Sequence, residues 1–154
     1  MTNDSVGEIT FTIDKFIFRF PQKLLYSRDG LWIRNEGGLL RIGVADFVQK
    51  RNGDIAFAAP TEAGTELDAG DEIASIETIK VNFSLPSPVN GTILESNQSL
   101  QESPELINLE PYGKGWLVVM RPGSLERDLG ALMTAEAYSD WARQQAEAEL
   151  AVNE

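Results

Sequence analysis

Residues 77–85 read Glu77-Thr78-Ile79-Lys80-Val81-Asn82-Phe83-Ser84-Leu85, and the fold class follows from how this stretch is taken. Ile79, Val81, Phe83 and Leu85 alternate with Lys80, Asn82 and Ser84, the two-residue period of a half-buried strand, which sets Lys80 on the solvent side. Outward from it, short apolar runs recur at residues 54–59 before Pro60, 72–79, 81–85 before Pro86, 91–96, and 116–120 before Pro122. Gly64, Gly70, Asn90-Gly91 and Tyr112-Gly113-Lys114-Gly115 supply turns between them. Upstream, Leu31-Trp32-Ile33-Arg34 and Leu39-Leu40-Arg41-Ile42-Gly43 flank Asn35-Glu36-Gly37-Gly38, the pattern of a hairpin. Asp46-Phe47-Val48-Gln49-Lys50 reads as a single helical turn with Asp46 as its N-cap. Many short strands with Gly/Pro punctuation and little helix predict an all-β sandwich or flattened barrel.

The two ends differ from this middle. Residues 1–25 hold one alternating run, Ile9-Thr10-Phe11-Thr12-Ile13, then Phe16 to Phe20 and Pro21, which reads as an N-terminal arm or edge strand. Residues 26–123 form the main domain. Residues 124–154 carry seven acids and two arginines and read as a C-terminal helical extension. There Thr134 caps a helix with Glu136 in its first turn, and Tyr138, Trp141 and Ala142 share the face that packs on the sheet. Beyond Ala148 the chain is expected to fray, having few large apolar groups to bury.

Composition removes much chemistry. The 154 residues contain neither Cys nor His, so there is no thiol nucleophile, thiolate metal site, imidazole base or Ser-His-Asp triad. With 24 Asp+Glu against 13 Lys+Arg the net charge is −11, which argues against nucleic acid and anionic membranes and toward a protein partner with a basic face. The absence of Cys fits a reducing cytoplasm, Met1-Thr2-Asn3-Asp4 does not begin a signal peptide, and no apolar run is long enough to span a membrane. Any redox or acyl chemistry needs a reactive group that is not a side chain.

The charge map singles out one residue. From residue 52 to residue 113, Lys80 is the sole Lys or Arg among eleven acids. Its ordinary reading is a solvated strand lysine paired with Glu77, a contact worth at most about 1 kcal/mol. Its functional reading is a lysine displayed at a hairpin tip for covalent modification, flanked by two similar Gly-punctuated segments, Gly64 to Asp71 and Pro88 to Glu95, as in two halves related by a pseudo-two-fold. Other marked residues read blandly. Gly43, Gly53, Gly70 and Gly91 suit turns or bulges, Trp32 and Trp116 suit the core, and Gly113-Lys114-Gly115 lacks the spacing of a phosphate loop. Asp46 and Asp54 make no catalytic pair.

Eight blocks in order then carry a resemblance. They are Tyr26-Ser27-Arg28-Asp29 with Trp32; Ile42-Gly43-Val44-Ala45-Asp46-Phe47-Val48-Gln49; Gly53-Asp54-Ile55-Ala56-Phe57 with Pro60; Gly64 with Gly70; Ile76-Glu77-Thr78-Ile79-Lys80; Ser87-Pro88-Val89-Asn90-Gly91; Pro104-Glu105-Leu106-Ile107-Asn108; and Pro111-Tyr112-Gly113-Lys114-Gly115-Trp116-Leu117. Over roughly residues 26–121 the chain resembles the H-protein-like lipoyl carriers of the glycine cleavage system. The resemblance implies a lipoyl/biotinyl-like hammerhead fold, no enzymatic activity of its own, and lipoate joined to Lys80 by an amide. It implies as partners a lipoate ligase or lipoyl transferase, dihydrolipoamide dehydrogenase, and the glycine cleavage enzymes or a heterodisulfide-reductase-like complex. An amide at Lys80 removes its charge, and the arm reaches on the order of 14 Å from the Cα when extended, raising the effective concentration of its cargo at a partner.

Departures from the family pattern bear on the pathway. Gly30 and Leu31 stand where members acting in glycine cleavage have a His-Glu pair before the tryptophan, and Val81, Asn82 and Phe83 follow the lysine where small residues are common. These replacements tilt the reading toward the similar lipoate-binding proteins of heterodisulfide-reductase-like sulfur oxidation, with aminomethyl transfer in glycine cleavage as the alternative. An unlipoylated acidic binding or regulatory module is the rival from another class. A biotinyl carrier is disfavoured because Ile79 and Val81, not Met, flank the lysine.

Overall fold

Pairs of short β-prone runs separated by tight turns can satisfy their backbone groups only by pairing, and the chain does so in three sheets. The computed structural model describes residues 7–153. Along the chain run β1 (Glu8–Ile13), β2 (Phe16–Pro21), β3 (Leu25–Tyr26), β4 (Leu31–Glu36), β5 (Leu39–Val44), α1 (Asp46–Asn52), β6 (Ile55–Pro60), β7 (Glu66–Leu67), β8 (Glu72–Thr78) and β9 (Asn82–Pro86). Then follow β10 (Gly91–Ser96), α2 (Ser99–Glu102), α3 (Leu106–Leu109), β11 (Val118–Pro122), α4 (Leu125–Gly130) and α5 (Ala135–Asn153). A six-stranded sheet in the order β3-β4-β5-β11-β10-β7 faces a three-stranded sheet, β6-β8-β9, and β1 pairs with β2 alone. All pairings are antiparallel.

The strand period divides the apolar residues between two cores. Leu31 and Ile33 of β4 point with Leu40 and Ile42 of β5 toward Ile73 and Ile76 of β8, filling the space between the sheets. Trp32, on the opposite face of β4, joins Phe11, Phe18, Phe20, Tyr26, Phe47 and Tyr138 in a second, mainly aromatic core. The N-terminal segment therefore differs from the single arm or edge strand expected for residues 1–25. It is a two-stranded hairpin whose inward phenylalanines pack over α1 and α5, and Phe18 meets Phe47 edge-on at 5.2 Å. Residues 1–6 of that expected arm lie outside the described residues.

The C-terminal helix has the expected face. The Thr134 hydroxyl accepts from the Ala137 amide, Tyr138 and Ala142 are buried, and Tyr138 stacks on Tyr26 at 5.0 Å. It does not stop near Ala148 but continues to Asn153, with Glu149 ion-paired to Arg51 of α1. Helices α2 and α3, of four residues each, went unforeseen because so few residues show no helical period, and α4 is a separate short helix within the expected C-terminal helical extension. Strand β11 begins at Val118 rather than Trp116, whose amide is still engaged by the Gly113 carbonyl of the preceding turn.

The aromatic core makes an alkaline prediction. The chain has three tyrosines, and burial pushes the hydroxyls of Tyr26, Tyr112 and Tyr138 all above the ordinary tyrosine range. Above about pH 10 the unfolded chain releases phenolic protons that the folded chain retains, so stability is full below that pH and falls as pH rises. Three such groups give a slope of up to about 4 kcal/mol per pH unit. A near-ultraviolet phenolate titration should show no tyrosine ionising until a single cooperative step that coincides with loss of the fold; a gradual titration near pH 10 in folded protein contradicts it.

Candidate functional site

Strands β8 and β9 pair up to Glu77 opposite Asn82, which leaves the four residues 78–81 to make the turn. The Thr78 side chain organises it. Its hydroxyl is buried, donates to the Val81 carbonyl at 2.9 Å, and accepts from the amides of Lys80 at 3.2 Å and Val81 at 3.0 Å. The Thr78 amide also donates to the Val81 carbonyl at 2.9 Å. Thr78, two residues before the lysine, has a role that the sequence reading missed; a β-branched hydroxyl at the end of a strand was the available signal.

Of the two readings of this stretch, a half-buried strand period carried through Lys80 and a hairpin tip at the lysine, the backbone has the hairpin tip. Ile79 is 88% exposed and Val81 42%, while Leu85 is buried, so the apolar alternation belongs to the sheet only from Asn82 onward. Hydroxyl contacts satisfy the amides at the tip, which frees residues 79–81 from the ladder. Lys80 is exposed and, among the described residues, forms no ion pair, so the expected partnership with Glu77 is not made. Thr78→Val should speed hydrogen exchange of the Lys80 and Val81 amides and cost about 1 kcal/mol. Unchanged exchange at the tip would show that the hydroxyl is dispensable.

The flanking segments foreseen as related halves close the far end of this unit on each other. Leu67 of β7 lies opposite Gly91 of β10, and the Gly70 amide donates to Ser87 while the Ser87 amide donates to Asp71. Beside the hairpin stands α1. Its N-cap is Ala45 rather than Asp46, and Asp46 is instead its buried first residue. The Asp46 carboxylate accepts from the Arg19 amide at 3.0 Å and from Gln49 at 2.8 Å, and pairs with Lys50 at 3.0 Å. A carboxylate with three donors holds α1 to the N-terminal hairpin. Asn108 ties α1 to β6 by donating to Gln49 and to the Gly53 carbonyl and accepting from the Ile55 amide.

Two readings of sequence change in space. Lys80 is alone along the chain from 52 to 113, yet Lys50 and Arg51 of α1 line the same groove as Lys80. Gly30 has φ 100°, and a Cβ there would lie 2.2 Å from Val48 Cγ2, so this backbone has no place for a side chain at that position.

The sandwich thus presents Lys80 on a hydroxyl-braced hairpin tip, in a chain that has no Cys or His. The sequence profile described as Glycine cleavage H-protein matches residues 24–145. The chain is 42% identical over 119 residues to a glycine cleavage system H protein of Geobacillus thermodenitrificans, covering 77% of this chain and 93% of the relative. To one from Bacteroides thetaiotaomicron it is 43% identical over 121 residues, covering 77% and 94%. The crystal structure of a glycine cleavage system H protein from Mycobacterium marinum superposes with a TM-score of 0.71 at 29% identity, covering 79% of this chain and 97% of that one. The chain belongs to the glycine cleavage H-protein family, lipoyl carriers rather than enzymes. Among the described residues no helix is long and apolar enough to cross a membrane.

Proposed function

We propose that this protein is lipoylated on Lys80 and acts in the cytoplasm as the H protein of a glycine cleavage system, carrying an aminomethyl group between partner enzymes. The observation that carries it is the exposed Lys80 at the braced tip of the β8–β9 hairpin, inside the segment matched by the family profile. The residues fit an amide-linked acyl arm. The ammonium is exposed and without an ion pair among the described residues, so converting it to a neutral amide breaks no contact. The arm supplies the dithiol chemistry that a chain without Cys lacks; the protein braces and displays it.

Glycine cleavage replaces the sulfur-oxidation branch as the preferred pathway. The latter rested on Gly30, Leu31 and the residues after Lys80, whereas relatives at 42% and 43% identity bear the glycine cleavage name, and nothing in them supports a heterodisulfide-reductase-like partner. Lipoate ligase or lipoyl transferase, glycine cleavage enzymes and dihydrolipoamide dehydrogenase are the proposed partners. The test pairs lipoylated and unmodified protein with a glycine decarboxylase. Exchange of the glycine carboxyl with bicarbonate should depend on the lipoylated form. Its absence, with exchange instead in a sulfur-transfer assay, overturns the pathway.

A further inference from the structure

We propose, on the carrier reading above, that the outer edge of β1 is a docking site for an extended, basic segment of the enzyme that works on the arm. In an antiparallel pair, opposed residues alternately bond across the ladder or turn their amides and carbonyls outward together. On β2 the outward residues are Ile17 and Arg19, and the rest of the fold takes up their backbone groups. The Arg19 amide donates to Asp46, the Arg19 carbonyl accepts from the Tyr112 hydroxyl, and the Ile17 carbonyl accepts from Lys50. Their register partners on β1 are Thr10 and Thr12, whose amides and carbonyls therefore point away from β2. Both threonines are exposed, and among the described residues no backbone group bonds to that side of β1. The hairpin has one sealed edge and one open edge.

Open edges are ordinarily blunted by lysine, proline or a bulge, because they pair with any strand that meets them. Strand β1 reads Glu-Ile-Thr-Phe-Thr-Ile and pairs with β2 in unbroken register, so it has none of these guards. Charge selects the occupant. Glu136, Asp140, Arg143 and Glu147 fall on one stripe of α5, and that stripe borders β1, since Arg143 lies 4.9 Å over the Phe11 ring. The three acids are exposed and form no ion pair among the described residues. A second copy would set a charge of −11 against −11, whereas a basic strand is attracted. Place selects the enzyme. Ile13 and Phe16, at the turn end of the hairpin, line the same groove as Lys80, so a strand added along β1 holds its enzyme beside the arm. Both strands of the hairpin lie outside the span of 24–145 matched by the family profile, which makes this contact an addition to the carrier domain. In such strand addition the ladder gives affinity and alternate side chains give selectivity.

The test uses the full lipoylated chain with its cognate glycine decarboxylase. Amide hydrogen exchange at Thr10 and Thr12 should be fast in the free carrier, and about tenfold slower with enough decarboxylase to occupy about nine-tenths of it. Thr10→Pro removes an outward donor without touching the β1–β2 ladder. It should raise KM for the carrier in the glycine–bicarbonate reaction about tenfold, with kcat unchanged. Added salt should raise the parent's KM, because the attracting charges are exposed. The hydrogen-exchange arm uses the unsubstituted chain, so it decides the matter even if proline disturbs the hairpin. An unchanged KM in Thr10→Pro, a KM indifferent to salt, or protection confined to residues 77–84 overturns the docking site and leaves the carrier reading intact. Protection of Thr10 and Thr12 that appears without enzyme and grows with protein concentration assigns the edge to a second copy and also overturns it. No glycine–bicarbonate reaction with the lipoylated parent overturns both readings.

Discussion

Lys80→Arg should lose the entire lipoyl mass increase, and with it all exchange supported in the glycine decarboxylase assay, while stability stays within about 0.5 kcal/mol of the parent. The separation follows from the division of labour at the tip. Thr78 supplies the hydrogen bonds that shape the turn, and the Lys80 side chain supplies no ion pair among the described residues. Arginine keeps the positive charge and the backbone but presents a guanidinium, which does not form the amide. Intact mass reads the modification and urea denaturation the fold. Full exchange by the Arg variant sinks the carrier assignment, whereas a large loss of stability instead shows that the lysine is structural.

The second large effect is expected far from the tip, at Gly43. It lies within β5, opposite Trp32 of β4, and a Cβ added there would come within 2.6 Å of the Trp32 indole. The ring cannot move aside cheaply, because Trp32 is fully buried and its Nε1 donates to the Pro111 carbonyl at 2.7 Å. Gly43→Ala should therefore cost about 2–4 kcal/mol, from overpacking of about 1–3 kcal/mol and a weakened hydrogen bond of about 1 kcal/mol. Urea unfolding should show a lower midpoint with an unchanged slope. Trp32→Phe in the same chain should recover part of the loss, since the two sites share one clash. A cost below about 1 kcal/mol would falsify the contact as the reason for glycine at this position.

These two residues show what local pattern reveals and what it conceals. Gly43 was expected at a turn or bulge, but it sits inside a regular strand pair and makes room for a ring across the ladder. Composition carries no sign of such a partner. Asp46 was expected as a cap because Asp opens many helices, yet here Ala45 holds that position and the carboxylate turns to the Arg19 amide 27 residues away in sequence. The N-terminal phenylalanines offered a similar ambiguity. One alternating run fits either an edge strand or half of a hairpin until the surface that buries it is known.

The sequence by itself determined the all-β class, the hairpin from Leu31 to Gly43, the Thr134 cap and the marked position of Lys80. Each of these depends on nearest neighbours: strand period, turn residues, a capping hydroxyl, or charge counted along the chain. Only the tertiary structure decided that Lys80 stands at a turn braced by Thr78, that Lys50 and Arg51 border the same groove, and that Gly30 cannot take a side chain. Those facts depend on groups distant in sequence meeting in space. A packed interior fixes such contacts through volume and hydrogen-bond satisfaction, which no one-dimensional pattern records.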